Sequence, residues 1–168
     1  MKYDVCVLGG CSLDMMYYQK PDGTFSNSPE MIVPGGKGSN QAVAASRAGA
    51  KTTLITRIGK DEIGKSILEN LRFNMIDTSS IEMLEGLEND YSNVKINLKD
   101  KDNVIERFSG AINSFTPDMV DKYAHILLDS KIIECQLKAP FDVTERLINF
   151  CYDNDKILIL TPCRPQKL

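Results

Sequence analysis

The 168-residue chain has no tryptophan and one histidine, and both absences narrow its chemistry. With a single imidazole, His125, no second histidine can complete a metal site or a conventional nucleophile–histidine triad. His125 lies between Ala124 and Ile126 and reads as structural. The cysteines Cys6, Cys11, Cys135, Cys151 and Cys163 are odd in number and contain no Cys-x-x-Cys pair. That excludes a disulfide framework and a zinc site, and leaves buried or half-buried thiols in a reducing cytoplasm as the expectation. No apolar run approaches the roughly 20 residues that span a bilayer, and Met1-Lys2-Tyr3-Asp4 leads into a strand rather than a signal peptide. Lysine and arginine are scattered and the net charge is −3, so neither nucleic acid nor a membrane is an expected partner. Also missing are a Walker A loop and a Gly-x-Gly-x-x-Gly fingerprint, which disfavours a Rossmann oxidoreductase.

What is present is the texture of one soluble α/β domain. Tyr3 to Gly10 is a short apolar run ending in glycines, as expected of a buried parallel strand. Ser12 to Pro34 differs: Met15-Met16-Tyr17-Tyr18 and Met31-Ile32-Val33 flank a turn-rich stretch, which reads as a hairpin standing off the main sheet. A helix over Asn40 to Ala48 ends at Gly49, and a strand over Lys51 to Ile58 follows. Asp61 is placed to cap the helix carrying Ile63, Ile67, Leu68 and Leu71. Extended segments are expected around Ile81, over Tyr91 to Leu98 and over Asn103 to Phe108. Strict alternation in Asn93 to Leu98 marks a strand with one wet face, and these hairpins read as an antiparallel lid. A helix from Pro117 to about Leu128, a strand over Lys131 to Gln136, a helix over Asp142 to Tyr152 and a strand over Lys156 to Thr161 complete the alternation.

The most informative stretch is Pro34-Gly35-Gly36-Lys37-Gly38-Ser39-Asn40-Gln41-Ala42-Val43-Ala44-Ala45. Glycine lets backbone approach a ligand with no Cβ in the way. The helix behind the turn is expected to leave its first amides free, with the positive end of its dipole facing the turn. Such a turn suits hydroxyl or anionic oxygens. A tight turn packed before an alanine-rich helix would use the same residues, so this stretch alone leaves both readings open.

The turn closely resembles the first signature of the ribokinase, or PfkB, family of carbohydrate kinases, and Met1 to Pro165 follows that family's order of elements. The resemblance implies a ribokinase-like three-layer α/β/α sandwich with a mostly parallel sheet and a small β lid, formed by segments of about 12–34 and 91–108. It implies ATP-dependent transfer of a phosphoryl group to a sugar hydroxyl, with Mg²⁺ and a monovalent cation required. The family's second signature, a Gly-Ala-Gly-Asp turn whose Asp is the general base, does not occur in this sequence. Residues 1–168 therefore read as the N-terminal, sugar-binding half of such a kinase, ending before the ATP-binding half and inactive alone. Asn27-Ser28-Pro29-Glu30 fits the letters of a later family motif by coincidence. A non-catalytic sugar-binding or dimerisation remnant, and a nucleoside kinase, are the alternatives.

Carried over by resemblance, Asp14 accepts hydrogen bonds from sugar hydroxyls, which a carboxylate can do from two at once; a turn-capping Asp is the alternative. Ser12 stands where ribokinases usually carry Asn. Gly35, Gly36, Lys37 and Asn40 match. Lys138 is a departure, since ribokinases place Glu two residues before the proline that is Pro140 here. If Lys138 faces the pocket, a sugar acid or sugar phosphate is the expected ligand; Lys95, on a lid strand, reads as a solvated surface lysine. The lid is also expected to pair with that of a second subunit, because Met15-Met16-Tyr17-Tyr18 would otherwise expose an apolar patch.

Overall fold

The computed structural model describes residues 1–163. Nine strands and five helices follow one another as β1 (Tyr3–Leu8), β2 (Ser12–Tyr18), β3 (Met31–Gly35), α1 (Lys37–Arg47), β4 (Thr52–Gly59), α2 (Glu62–Phe73), β5 (Ile81–Leu84), β6 (Asp90–Asn97), β7 (Asp102–Phe108), α3 (Asp118–Lys122), α4 (Ala124–Leu128), β8 (Ser130–Gln136), α5 (Phe141–Asp153) and β9 (Ile157–Thr161). The main sheet has the order β5-β4-β1-β8-β9 and is parallel throughout.

Strands buried on both faces need cover on both, and β1 shows this directly. Its Cys6 and Leu8 join Ile133 and Cys135 of β8 beneath α3, α4 and α5, with Met119, Leu127, Val143 and Leu147. Its Val7 faces the other way, with Leu54 and Ile58 of β4, against Ala42 of α1 and Ile67 and Leu71 of α2. The result is the expected three-layer sandwich. Asp61 caps α2 by accepting from the Gly64 amide at 2.8 Å.

Three expectations are corrected. The helix foreseen over 117–128 is two short helices, α3 and α4, broken at Tyr123. The break keeps the Tyr123 ring buried while its hydroxyl donates to Glu82 Oε1 at 3.1 Å. The lid is a separate sheet of order β3-β2-β6-β7 and is mixed, not antiparallel. Strands β2–β3 and β6–β7 are antiparallel hairpins, but β2 and β6 join them in parallel. The reason is topological: β1 and β5 belong to one parallel sheet, and β2 and β6, the next strands after each, leave its same end side by side. Alternation in a sequence reveals a wet face and says nothing of a neighbour's direction. Finally, Met15 to Tyr18 are half-buried in the centre of this sheet, and the exposed apolar side chains of the lid are instead Met31, Ile32, Leu98, Val104 and Phe108.

The five cysteines are free thiols, four of them buried and Cys163 partly exposed. Burial pushes the Cys6 and Cys11 thiols up to about 12 and those of Cys135 and Cys151 up to about 11. A thiol held neutral and out of reach does not react. Titration of the native protein with Ellman's reagent is expected to label Cys163 quickly and the other four only on unfolding. Fast labelling of more than one thiol would contradict this packing.

Candidate functional site

The glycine turn is positioned by docking α1 onto the end of β1. The Gly38 and Ser39 amides both donate to the Gly10 carbonyl, at 3.1 and 3.3 Å. These two helix-terminal amides are therefore already satisfied, and the expectation of free N–H groups aimed at a ligand is corrected. Ser39 Oγ closes the turn further by donating to the Gly36 carbonyl at 3.0 Å and to that of Gly35. Glycine is required where backbone crosses backbone: Gly36 has φ 96°, and a Cβ there would sit 2.7 Å from Cys11 Cα and from the Ser12 nitrogen. A Cβ on Gly35 would run into the Asp14 carboxylate, so the turn and that side chain are in contact.

The lid supplies the facing wall. Register places Asp14 of β2 beside Ser92 of β6, and Ser92 beside Arg107 of β7, a polar row on one face. Ser12, buried, lies 3.5 Å from Asp14 Oδ1 through its hydroxyl. A recess of about 170 Å³ is lined by Ser12, Asp14, Gly36, Lys37, Asn40 and Lys138, and by Ser92, Val94, Ile105 and Arg107 of the lid. Through Lys37, Ile105, Arg107 and Lys138 it continues into a wider cavity of about 490 Å³ that also reaches Ser109, Leu137 and Cys163. The seven residues singled out by sequence are thus brought together, six on the wall and Gly35 in contact with Asp14. Lys95 is not among them; it closes on Glu106 at 2.8 Å on the outer face of the lid.

Two contributors escaped sequence reasoning. Arg107 sits on the recess wall, and only the β6–β7 register reveals it. Asp90, 2% exposed, accepts from the Gly110 and Ile112 amides at 2.7 and 3.2 Å through Oδ1 and lies 3.5 Å from Lys138 Nζ through Oδ2. One buried carboxylate thereby pins the turn after β7 and steers Lys138. Its neighbour Asn89 accepts from the Gly59 amide and donates to Asp61 Oδ1, at 2.9 and 2.8 Å, so the Gly59-to-Gly64 pattern is a structural joint. On the far side of α1, Gln41 accepts from Gln136 and donates to Thr161 Oγ1 at 2.9 Å, tying the helix to β8 and β9. Among the described residues no three His, Cys, Asp or Glu side chains gather so as to hold a metal ion, and no helix is long and apolar enough to cross a membrane.

Residues 2–167 match the pfkB family carbohydrate kinases. The chain belongs to that family. Among its pfkB relatives, the ribokinase of Bacillus subtilis is 30% identical over 177 residues, covering 98% of this chain and 57% of the relative. The ribokinase of Haemophilus influenzae is 32% identical over 173 residues, covering 100% and 56%. The chain therefore spans a little over half the length of these curated relatives. A solved Arabidopsis thaliana ribokinase, complexed with ribose and ATP, superposes with a TM-score of 0.82 at 22% identity, covering 95% of this chain and 53% of that one. At that identity the likeness establishes the shared fold.

Proposed function

We propose that these residues form the sugar-binding half of an ATP-dependent carbohydrate kinase that transfers the γ-phosphoryl group of ATP to a sugar hydroxyl. The observation that carries the reading is the contact of Asp14 with the Gly35–Gly36 turn, in one recess with Ser12 and Asn40. Asp14 would accept from two neighbouring hydroxyls, Asn40 would donate and accept, and the Gly36 backbone would allow close approach of the ring. The lid sheet roofs the recess and would keep water from the acceptor hydroxyl. ATP and Mg²⁺ would supply the phosphoryl group and neutralise its charge, and no described residue is assigned to either, nor to a monovalent cation. The outer lid face, with Ile32, Val104 and Phe108 exposed, would meet the lid of a second copy.

Calorimetric titration of this chain with ribose tests the reading. Ribose is expected to bind, and Asp14→Asn to weaken it by about tenfold to a hundredfold, the value of charge-assisted hydrogen bonds. The same chain mixed with ribose and ATP is expected to show no ATP turnover above a buffer blank, since the Gly-Ala-Gly-Asp turn is absent from its sequence. Unchanged affinity in Asp14→Asn would remove the basis of the assignment, and turnover by this chain would contradict its being the half without the base.

A further inference from the structure

The recess has two chemically different ends. At one, Asp14, Ser12 and Asn40 offer acceptors and neutral polar atoms. At the other, three cations converge from three elements: Lys37 from the start of α1, Arg107 from β7 and Lys138 from the loop after β8, all lining both the recess and the wider cavity. Among the described residues no carboxylate lines that wider cavity. Lys138 has one acidic neighbour, Asp90, at 3.5 Å, and that carboxylate is also occupied by two backbone amides. The side chains of Arg107 and Lys37, both exposed, make no hydrogen bond or ion pair with any described residue. Glu106, next to Arg107 in the chain, points to the opposite face and takes Lys95 instead. Helix α1 carries no acidic residue in its first turn to offset Lys37.

Like charges gathered on a concave wall repel one another, and a bound anion relieves that repulsion. A guanidinium on a strand, flanked by two ammonium groups, matches the planar and multidentate geometry of phosphate or carboxylate oxygens. A neutral sugar would leave Arg107 and Lys37 without a partner and Lys138 with Asp90 alone. We infer that Arg107, Lys37 and Lys138 form an anion subsite beside the hydroxyl-binding end, and that the preferred sugar carries a phosphate or carboxylate group in addition to its hydroxyls. This inference rests on the sugar-binding reading above and narrows its substrate class. Arg107 is the specificity-determining residue it adds, and Lys138 is held toward the anion by Asp90.

The test is calorimetric titration of this chain with fructose, fructose 1-phosphate, fructose 6-phosphate and 2-keto-3-deoxygluconate, repeated in Arg107→Gln and Lys138→Gln, with thermal melts confirming that each variant folds. At least one anionic sugar is expected to bind about tenfold more tightly than fructose, a preference that shrinks with added salt. The two phosphates and the sugar acid separate phosphate from carboxylate recognition and report which end of the sugar is held. Arg107→Gln is expected to remove most of that preference, lowering the affinity for the anionic sugar by a larger factor than that for fructose. Equal affinity for all four ligands, or an equal loss for neutral and anionic sugars in Arg107→Gln, overturns the subsite. Fructose binding that Asp14→Asn abolishes, with no preference for any anion, leaves the sugar site standing and removes only this inference. Binding of none of the four overturns the subsite, and failure of ribose to bind as well overturns the sugar-binding reading.

Discussion

Replacing Gly36 with alanine is expected to destabilise the protein by about 2–6 kcal/mol, the sum of two separate penalties. Its φ of 96° lies where a side chain is strained, an effect of roughly 1–3 kcal/mol. The added Cβ would also meet Cys11 Cα and the Ser12 nitrogen at 2.7 Å, and backbone cannot swing aside as a flexible side chain can. Overpacking of that kind costs a further 1–3 kcal/mol or so. The control is Gly23→Ala, where φ is 85° but no atom lies within 4 Å of the new Cβ. Urea midpoints should fall far more for Gly36 than for Gly23. Similar small losses at both would mean that crowding at the start of β2 contributes nothing. Because the same displacement would move Asp14 relative to the turn, ribose binding should vanish in whatever fraction of Gly36→Ala still folds.

The second large effect is expected at Glu82, away from the recess. Its carboxylate, 11% exposed, takes Arg57 Nε at 2.7 Å, Lys122 Nζ at 2.7 Å and the Tyr123 hydroxyl at 3.1 Å. Arg57, 17% exposed, also donates to the Ser114 carbonyl, so the cluster fastens the chain returning from the lid to the edge of the main sheet. Glu82→Gln keeps the volume and leaves Arg57 buried without its counter-charge, a loss of about 3 kcal/mol at neutral pH. The bond to Lys122, itself 60% exposed, contributes little of this. The pH dependence has a definite sign. Burial opposes ionisation of Glu82, but the bonds from Lys122, Arg57 and Tyr123 outweigh it and hold the carboxyl below its ordinary 4.5. The unfolded chain therefore binds the proton first on acidification, and the contribution is complete above about pH 4.5 and is lost as pH falls through the folded value. Wild type and Glu82→Gln should differ most at neutral pH and converge in acid. A gap that stays constant down to pH 3 or so would assign the loss to packing instead of charge.

Much of this was legible in the residues themselves. Apolar runs and glycine punctuation located the strands of the main sheet, and Asp61 announced the start of α2. The turn at Gly35–Gly36 stood out by its own residues, and Asp14 was singled out by the resemblance to the pfkB family. What escaped depends on pairing. Arg107 enters the recess only because β7 folds back on β6 in the register that sets it beside Ser92. Asp90 reads as an ordinary strand-start carboxylate until the turn at Gly110 and Ile112 comes round to meet it. The α1 amides read as free because the Gly10 carbonyl that takes them lies far off in sequence. The break at Tyr123 answers to Glu82, on a strand the helix pattern cannot see.

The parallel seam between β2 and β6 also governs how the chain can reach this structure. Ser12 is paired with Asp90 and Tyr18 with Ile96, across an interval containing α1, β4, α2 and β5. Each hairpin can close locally, but an isolated two-stranded hairpin is at best marginal in water. Joining the two requires the entropy of that long loop to be surrendered before the first β2–β6 hydrogen bond offsets any of it. Docking β4 and β5 beside β1 lowers the barrier, since it carries the start of β6 to the start of β2 as a by-product of building the core. The recess is therefore expected to form late in folding, because its wall and its floor come from segments far apart in the chain that the main sheet brings together.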